Sequence, residues 1–419
     1  MRLAGDDQRI AALRDLQCAR VILDTLRERG LVAQVSDEDG LRRALERGPI
    51  TLYQGFDPTA TSLHTGNLVG IMVLAHFQRA GHRPIAVVGG GTGMVGDPSG
   101  KNAARPIMSA EQIEKNLAGI RAQFAPYLDF SDGRALLVNN ADWLLPLRYI
   151  EFLRDVGRYF SVNQLMQHET YWNRFQNGSF SFIELNYALV QAYDFLHLYR
   201  EHATILQVGG NDQWFNILAG RDLIRHADGG QAFALTTPLV TSTSGEKLGK
   251  TAGNAIWLDP ALTSPYEYYQ YWRNTEDADV GRYLRLFTFL PLSEITSLER
   301  LQGAEINQAK EVLALEATRI THGDEAADRA QRTARARFGG DGQAQDEGPS
   351  VAVAEPTGLV ELAVTARLAA SKNEAKRQIK DGGLRLDGEP QATDRVVDPA
   401  DLPAMLSLGK RKVRLVPPA

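Results

Sequence analysis

Cysteine is almost missing: Cys18 is the only one in 419 residues. A lone thiol excludes an internal disulfide and the usual multi-cysteine zinc sites. The eight histidines show no HExxH or similar ligand spacing, so no protein-bound metal is expected. Apolar runs such as Pro84 to Gly93 are too short for a membrane span. The N-terminus, MRLAGDDQRIAALRDL, carries acids early and has no apolar signal core. These absences predict a reduced, cytoplasmic chain without a membrane segment. Its length allows two or three domains.

A strong charge bias is missing too. The net charge of −5 argues against a protein that coats nucleic acid indiscriminately. The balance is uneven, however: residues 357–419 hold 11 Lys/Arg against 8 Asp/Glu, a difference of +3, so the remainder carries −8. A basic tail on an acidic body points to local contact with phosphate rather than global attraction.

What is present is an alternation of strand and helix signals. Residues 8–48 read as helical, with Leu13, Leu16, Val21, Leu26, Leu41 and Leu45 at helical spacing. Ile50 to Gly55 reads as a strand, Asn67 to Ala80 as a helix stopped by Gly81, and Pro84 to Val88 as a second strand. A helix is expected from Ser109 to Tyr127, opened by a capping box. Further strands are expected at Ala135 to Asn139 and Thr204 to Val208. The alternation implies an α/β fold with a mostly parallel, doubly wound sheet. After Thr251 the pattern turns helical, at Ser264 to Asn274, Ala278 to Phe289, Leu292 to Leu301 and Asn307 to His322. Residues 339–356, rich in Gly and acids, read as a flexible linker to a small unit at 357–419.

Two motifs carry chemistry. Leu63-His64-Thr65-Gly66-Asn67 is a polar turn at a helix start, and Lys247-Leu248-Gly249-Lys250-Thr251 puts two lysines on a Ser/Gly-rich loop. Together they suit a triphosphate, whose charge needs donors on several sides. Taken singly, each has a plainer reading, as a capping turn and as a solvated surface loop. A third motif, Gly91-Thr92-Gly93-Met94-Val95-Gly96, matches GxGxxG after a strand. Asp97-Pro98 follows it, and no strand with a terminal acid arrives about 20 residues on, which argues against a dinucleotide. Tyr187, Gln191 and Asp194, at i, i+4 and i+7, share one helical face. Three polar groups on a core-facing stripe demand a ligand or a network.

The stretch YQGFDPTATSLHTGN, then VGDPSGK, then Tyr187 to Asp194, then QVGGNDQW and KLGKT, resembles the tyrosyl members of the class I aminoacyl-tRNA synthetases in order and spacing. LHTGN and KLGKT stand where that family has its HIGH and KMSKS elements. The resemblance implies a Rossmann-like catalytic domain over 1–251, a helical anticodon-recognition domain over 252–338, and a small α+β RNA-binding domain over 357–419. It implies that Tyr53 and Asp194 meet a substrate phenol, with Asp97, Tyr187 and Gln191 on its ammonium group and Gln207 beside them. Asp57, Thr59, His64, Asn67, Asp212 and Gln213 would bind ATP or the adenylate. Lys101, Arg105, Lys247, Lys250 and Thr251 would stand near the leaving pyrophosphate, with Mg²⁺ carried on the ATP. The implied partners are L-tyrosine, ATP, tRNA and a second copy of the chain.

Four positions depart from the family pattern. Asn67 replaces the second His of HIGH, Gln54 a usual Cys, Thr61 an Asp, and Phe215 a common Gly, adding bulk beside the expected site. In the tail, Lys372, Lys376 and Lys380 repeat every four residues and share a face with Arg377 nearby. That pattern resembles the ribosomal-protein S-four type RNA-binding module. A solvated helix is the plainer reading. Two functions therefore stay open: an active tyrosine–tRNA ligase, and a catalytically impaired synthetase-like RNA-binding protein motivated by Asn67 and the tail.

Overall fold

The computed structural model describes residues 22–97, 110–178, 180–243, 248, 250–251, 254–338, 350–409 and 411–417. The chain divides into two compact units, residues 1–328 and 329–419.

The first unit is built on a six-stranded sheet. Its strands are β1 (Gln34–Val35), β2 (Thr51–Phe56), β3 (Arg83–Val88), β4 (Leu136–Asn139), β5 (Thr204–Gly210) and β6 (Phe233–Thr237), in the order β1-β6-β5-β2-β3-β4. Neighbours from β6 to β4 are parallel, and β1 runs antiparallel to β6. The chain winds outward from β2 through β3 to β4, then returns to the other side of β2 for β5 and β6. The topological switch therefore lies between β2 and β5. There the loops leaving the carboxyl ends diverge and open a crevice.

Two departures from the expected pattern lie at one edge. Residues 34–35, read within a helical stretch, pair with Thr236 and Leu235 instead. A two-residue strand is too short to carry a period of its own. β6, unanticipated, is a fully buried FALTT segment, and a buried strand shows no polar alternation.

Helices cover both faces. α1 (Leu68–Arg79) buries every residue from Leu68 to Phe77, and Gly81 beyond it takes φ +88, a conformation that favours glycine at a helix stop. α2 (Phe182–His202) starts from a reciprocal Ser181–Glu184 capping box. Glu184 also forms a buried ion pair with Arg174 at 2.6 Å, which fixes the start of α2 to the preceding helix. α3 (Trp214–Asp228) packs along α2. Successive side chains of a strand point to opposite faces. Accordingly Tyr53 packs edge-on against Phe195 of α2 at 5.3 Å between ring centroids, while Gln54 lies against Gly70 of α1. β2 thus stands between α1 and α2.

The helical region falls in this same unit, with helices Pro265–Arg273, Val280–Phe287, Leu292–Leu298 and Ile306–His322. Buried Arg29 ties it to the N-terminal part by donating to the carbonyls of Arg285, Thr288 and Leu290. These are orphan acceptors near a helix end.

Among its described residues the second unit holds a five-stranded sheet, a two-stranded one, helices Leu359–Thr365 and Lys372–Lys380, and the last part of helix Asp324–Phe338. Ser350–Ala352, expected within the linker, pairs in parallel with Arg414–Val416 of this sheet, and Val353 is buried. Its short apolar content is what the Gly- and acid-rich surroundings concealed. Residues 339–349 lie outside the described residues. On helix Lys372–Lys380, Ala375 and Ile379 face the core, while Lys372, Lys376, Arg377 and Lys380 are exposed. Among the described residues, no helix is long and apolar enough to cross a membrane.

Candidate active site

A cavity of about 620 Å³ occupies the crevice at the switch point. Its walls come from both sides of β2. From α2 come Tyr187, Gln191 and Asp194; from β2, Tyr53; from β5, Gln207; and Asp97 follows the turn after β3. These six side chains, scattered over more than 150 positions, line one cavity.

Asp194 is only 4% exposed. Both of its oxygens are held: Asn140 Nδ2 donates to Oδ2 at 2.9 Å, and Trp143 Nε1 donates to Oδ1 at 2.7 Å. Asn140 is itself locked, since its Oδ1 accepts from Gly91 N–H and its Nδ2 also donates to Thr92 Oγ1. Burial pushes the Asp194 carboxyl up to about 7, against the lowering effect of Asn140 and Trp143. Burial and the Asp194 carboxylate together raise the Tyr53 phenol well above its ordinary value. The Tyr53 hydroxyl, Gln191 Oε1 and Gln207 Oε1 are buried with no hydrogen-bond partner among the described residues. Buried polar atoms of this kind mark a place where a ligand completes the bonding. Asn140 and Trp143 escaped the sequence reading. The polar pair Asn139-Asn140, closing an apolar strand at its carboxyl end, was the available signal.

Asp97 accepts a hydrogen bond from Gln213 Nε2 at 2.7 Å, and Asn216 Nδ2 donates to Gln213 Oε1 at 3.1 Å. Gln213, expected on the nucleotide, thus also orients the carboxylate expected at the ammonium group.

The other half of the cavity is lined by Asp57, Thr59, His64, Gly66, Asn67 and Asp212. His64 caps the turn: its Nδ1 accepts from Gly66 N–H at 3.0 Å, so the ring hydrogen is placed on Nε2. Asn67 Oδ1 accepts from His64 N–H at 3.0 Å, closing a capping box that fixes the entry to α1. A Cβ on Gly66 would stand 2.7 Å from the His64 ring and 3.4 Å from Leu248 O, so glycine is required for space. The same contact brings Leu248 of the lysine loop against the His64 turn. Lys101, Arg105 and Lys247 lie outside the described residues. Lys250 and Thr251 are described in their backbone alone, as a short strand paired with Asn254–Ala255.

The GxGxxG motif forms a single helical turn, Thr92–Val95, ended by Gly96 at φ +84. It does not run on into a long helix at the strand end, as a pyrophosphate site of the dinucleotide type requires. Phe215, expected to add bulk beside the site, is absent from the cavity lining. It stacks on His168, with ring centroids 4.4 Å apart.

Residues 45–339 match the family model for class I tRNA synthetases of the tryptophan and tyrosine group. The chain belongs to that family. It is 49% identical over 369 residues to the tyrosine–tRNA ligase of Caldanaerobacter subterraneus subsp. tengcongensis, covering 87% of this chain and 90% of that protein. It is 50% identical over 371 residues to the tyrosine–tRNA ligase of Clostridium botulinum strain Hall, covering 88% and 91%. Among solved structures, a C-terminally truncated Coccidioides posadasii mitochondrial tyrosyl-tRNA synthetase superposes with a TM-score of 0.67 at 28% identity, over 79% of this chain and 100% of that one. A tryptophanyl-tRNA synthetase from Encephalitozoon cuniculi shares the fold, with a TM-score of 0.54 at 15% identity, over 73% and 87%.

In this synthetase the raised Asp194 carboxyl makes stability depend on pH. An unfolded aspartate loses its proton near pH 4, whereas folded Asp194 keeps it until about pH 7. Between those values the folded state binds the extra proton, so this group's stabilising contribution falls as pH rises and levels off above 7. Asp194→Asn is expected to gain stability relative to the parent across that window. Urea midpoints at pH 5 and pH 8 check it; equal differences at both would contradict the account.

Proposed function

We propose that this synthetase is an ATP-dependent tyrosine–tRNA ligase that forms tyrosyl-adenylate and then charges tRNA(Tyr). The observation that carries the reading is that the Tyr53 hydroxyl and the Asp194 carboxylate are both buried and line one cavity. A phenol is both donor and acceptor, so it satisfies Asp194 through its hydrogen and Tyr53 through its oxygen. A phenyl ring would leave the Tyr53 hydroxyl unpaired and deny Asp194 a third bond in a dry site, and that penalty falls on the wrong substrate.

Asp97, Tyr187 and Gln191 hold the ammonium group, and Gln207 helps to seat the amino acid. The tyrosine carboxylate, already ionised, attacks the α-phosphorus of ATP without a general base. Asp57, Thr59, His64, Asn67, Asp212 and Gln213 position the nucleotide. Lys101, Arg105, Lys247, Lys250 and Thr251 offset charge on the departing pyrophosphate, with Mg²⁺ arriving on the ATP. Catalysis rests on in-line positioning and charge stabilisation. In the second step the terminal ribose hydroxyl of the tRNA attacks the mixed anhydride. Lys372, Lys376, Arg377 and Lys380 contact tRNA phosphates, and the helical region 252–338 meets the anticodon. Asn67 keeps the capping role in its turn, which supports activity over the impaired reading. The setting is the cytoplasm.

The test is tyrosine-dependent exchange of labelled pyrophosphate into ATP. Exchange with tyrosine and none with phenylalanine is expected; no exchange by folded protein that still binds tRNA would move the assignment to the impaired reading.

The working form is a homodimer. Leu145, Tyr149, Ile150, Val162, Trp172 and Phe175 are large apolar side chains left exposed within one stretch of about thirty residues. A concentration of that kind marks an association surface. Sedimentation is expected to give twice the chain mass, and Ile150→Asp to shift it toward one chain; a monomeric parent would overturn the proposal.

A further inference from the structure

The segment that follows the lysine loop is hydrogen-bonded to the turn that carries His64. Thr65 N–H donates to Ile256 C=O at 3.0 Å, and Leu258 N–H donates to Leu63 C=O at 2.9 Å. Asp259 N–H donates to Ser62 Oγ at 3.2 Å. At the centre, His64 and Trp257 face each other across an antiparallel bridge. Their rings lie 6.0 Å apart at a tilt of 56°. Trp257 N–H is itself fixed by Thr263 Oγ1 at 3.0 Å.

Two residues earlier in the chain, Ala255 pairs with Lys250, and Asn254 with Thr251. Two extended residues span about 7 Å. One short length of chain therefore pairs with the lysine loop at Ala255 and with the His64 turn at Trp257. Slipping either pairing by one residue would turn the side chains over. The His64 ring is held at Nδ1 by Gly66 N–H, and the tilted indole of Trp257 stands beside it.

We propose that Trp257 is a positioning residue for the adenylation step. Residues 256–258 form a strap that keeps the His64 turn and the lysine loop in one register, and the Trp257 indole sets the angle of the His64 ring. The proposal rests on the adenylation reading above. Trp257 does not line the cavity, so it acts through His64 and the loop and not by touching substrate.

The test uses the full chain carrying Trp257→Ala or Trp257→Phe, with single-turnover adenylate formation, tyrosine affinity, melting temperature and the His64 Cε1–H NMR resonance as readouts. A small misplacement of catalytic groups costs rate before it costs binding, and a loss of roughly 10- to 100-fold in adenylation rate is expected for Trp257→Ala. Tyrosine affinity should stay within about twofold, because the phenol half of the cavity is untouched. Trp257→Phe should recover most of the rate, and the His64 resonance should move in Trp257→Ala. In a His64→Ala background the Trp257 substitution should cost much less. Equal rate loss in both backgrounds, or an unmoved His64 resonance, would overturn the proposal. A parent protein without exchange would defeat the adenylation reading instead, and the resonance would still decide whether the strap holds His64.

Discussion

A carboxylate taken almost wholly out of water must be held by donors, and Asp194 is held by two. Asn140 and Trp143 each occupy one oxygen, and Asn140 is fixed in turn by Gly91 and Thr92. This arrangement sets the carboxylate in one orientation without surrounding it, so an approaching phenol can still add a third bond. It also joins the carboxyl end of β4, the turn after β3 and the middle of α2 through three side chains. A packing error in any of the three would be felt as a mispointed carboxylate. Low local dielectric strengthens such a network when complete and penalises it when broken.

The fold supplies two separate halves and one place where they meet. β2 presents Tyr53 toward α2 and Gln54 toward α1, so the two helices meet opposite faces of a single strand. The crevice between β2 and β5 exists because the chain reverses its winding direction there. Gln213 bridges the halves by binding Asp97 from the start of the segment leaving β5.

Much of this was legible because it is local. An apolar run of five residues, Pro84 to Val88, announces β3, a glycine stop at Gly81 closes α1, and i, i+4, i+7 spacing puts Tyr187, Gln191 and Asp194 on one side of α2. The Asn140 and Trp143 contacts to Asp194 span 54 and 51 positions, and no local pattern encodes a partner that far away. β1 and β6 were illegible for different reasons, one too short to show a period and the other buried on both faces. Phe215 stacks on His168, a partner that no local pattern encodes. Ser350–Ala352 became a strand only through pairing with Arg414–Val416, a contact invisible within the linker's composition.

The most direct test of the account is calorimetric titration of tyrosine and phenylalanine into the parent protein and into Asp194→Ala. The account predicts that the parent binds tyrosine far more tightly than phenylalanine. In Asp194→Ala, tyrosine affinity should fall close to that of phenylalanine while ATP still binds. Undiminished tyrosine binding by the variant would show that the phenol is read elsewhere, and the central role given to Asp194 would be wrong.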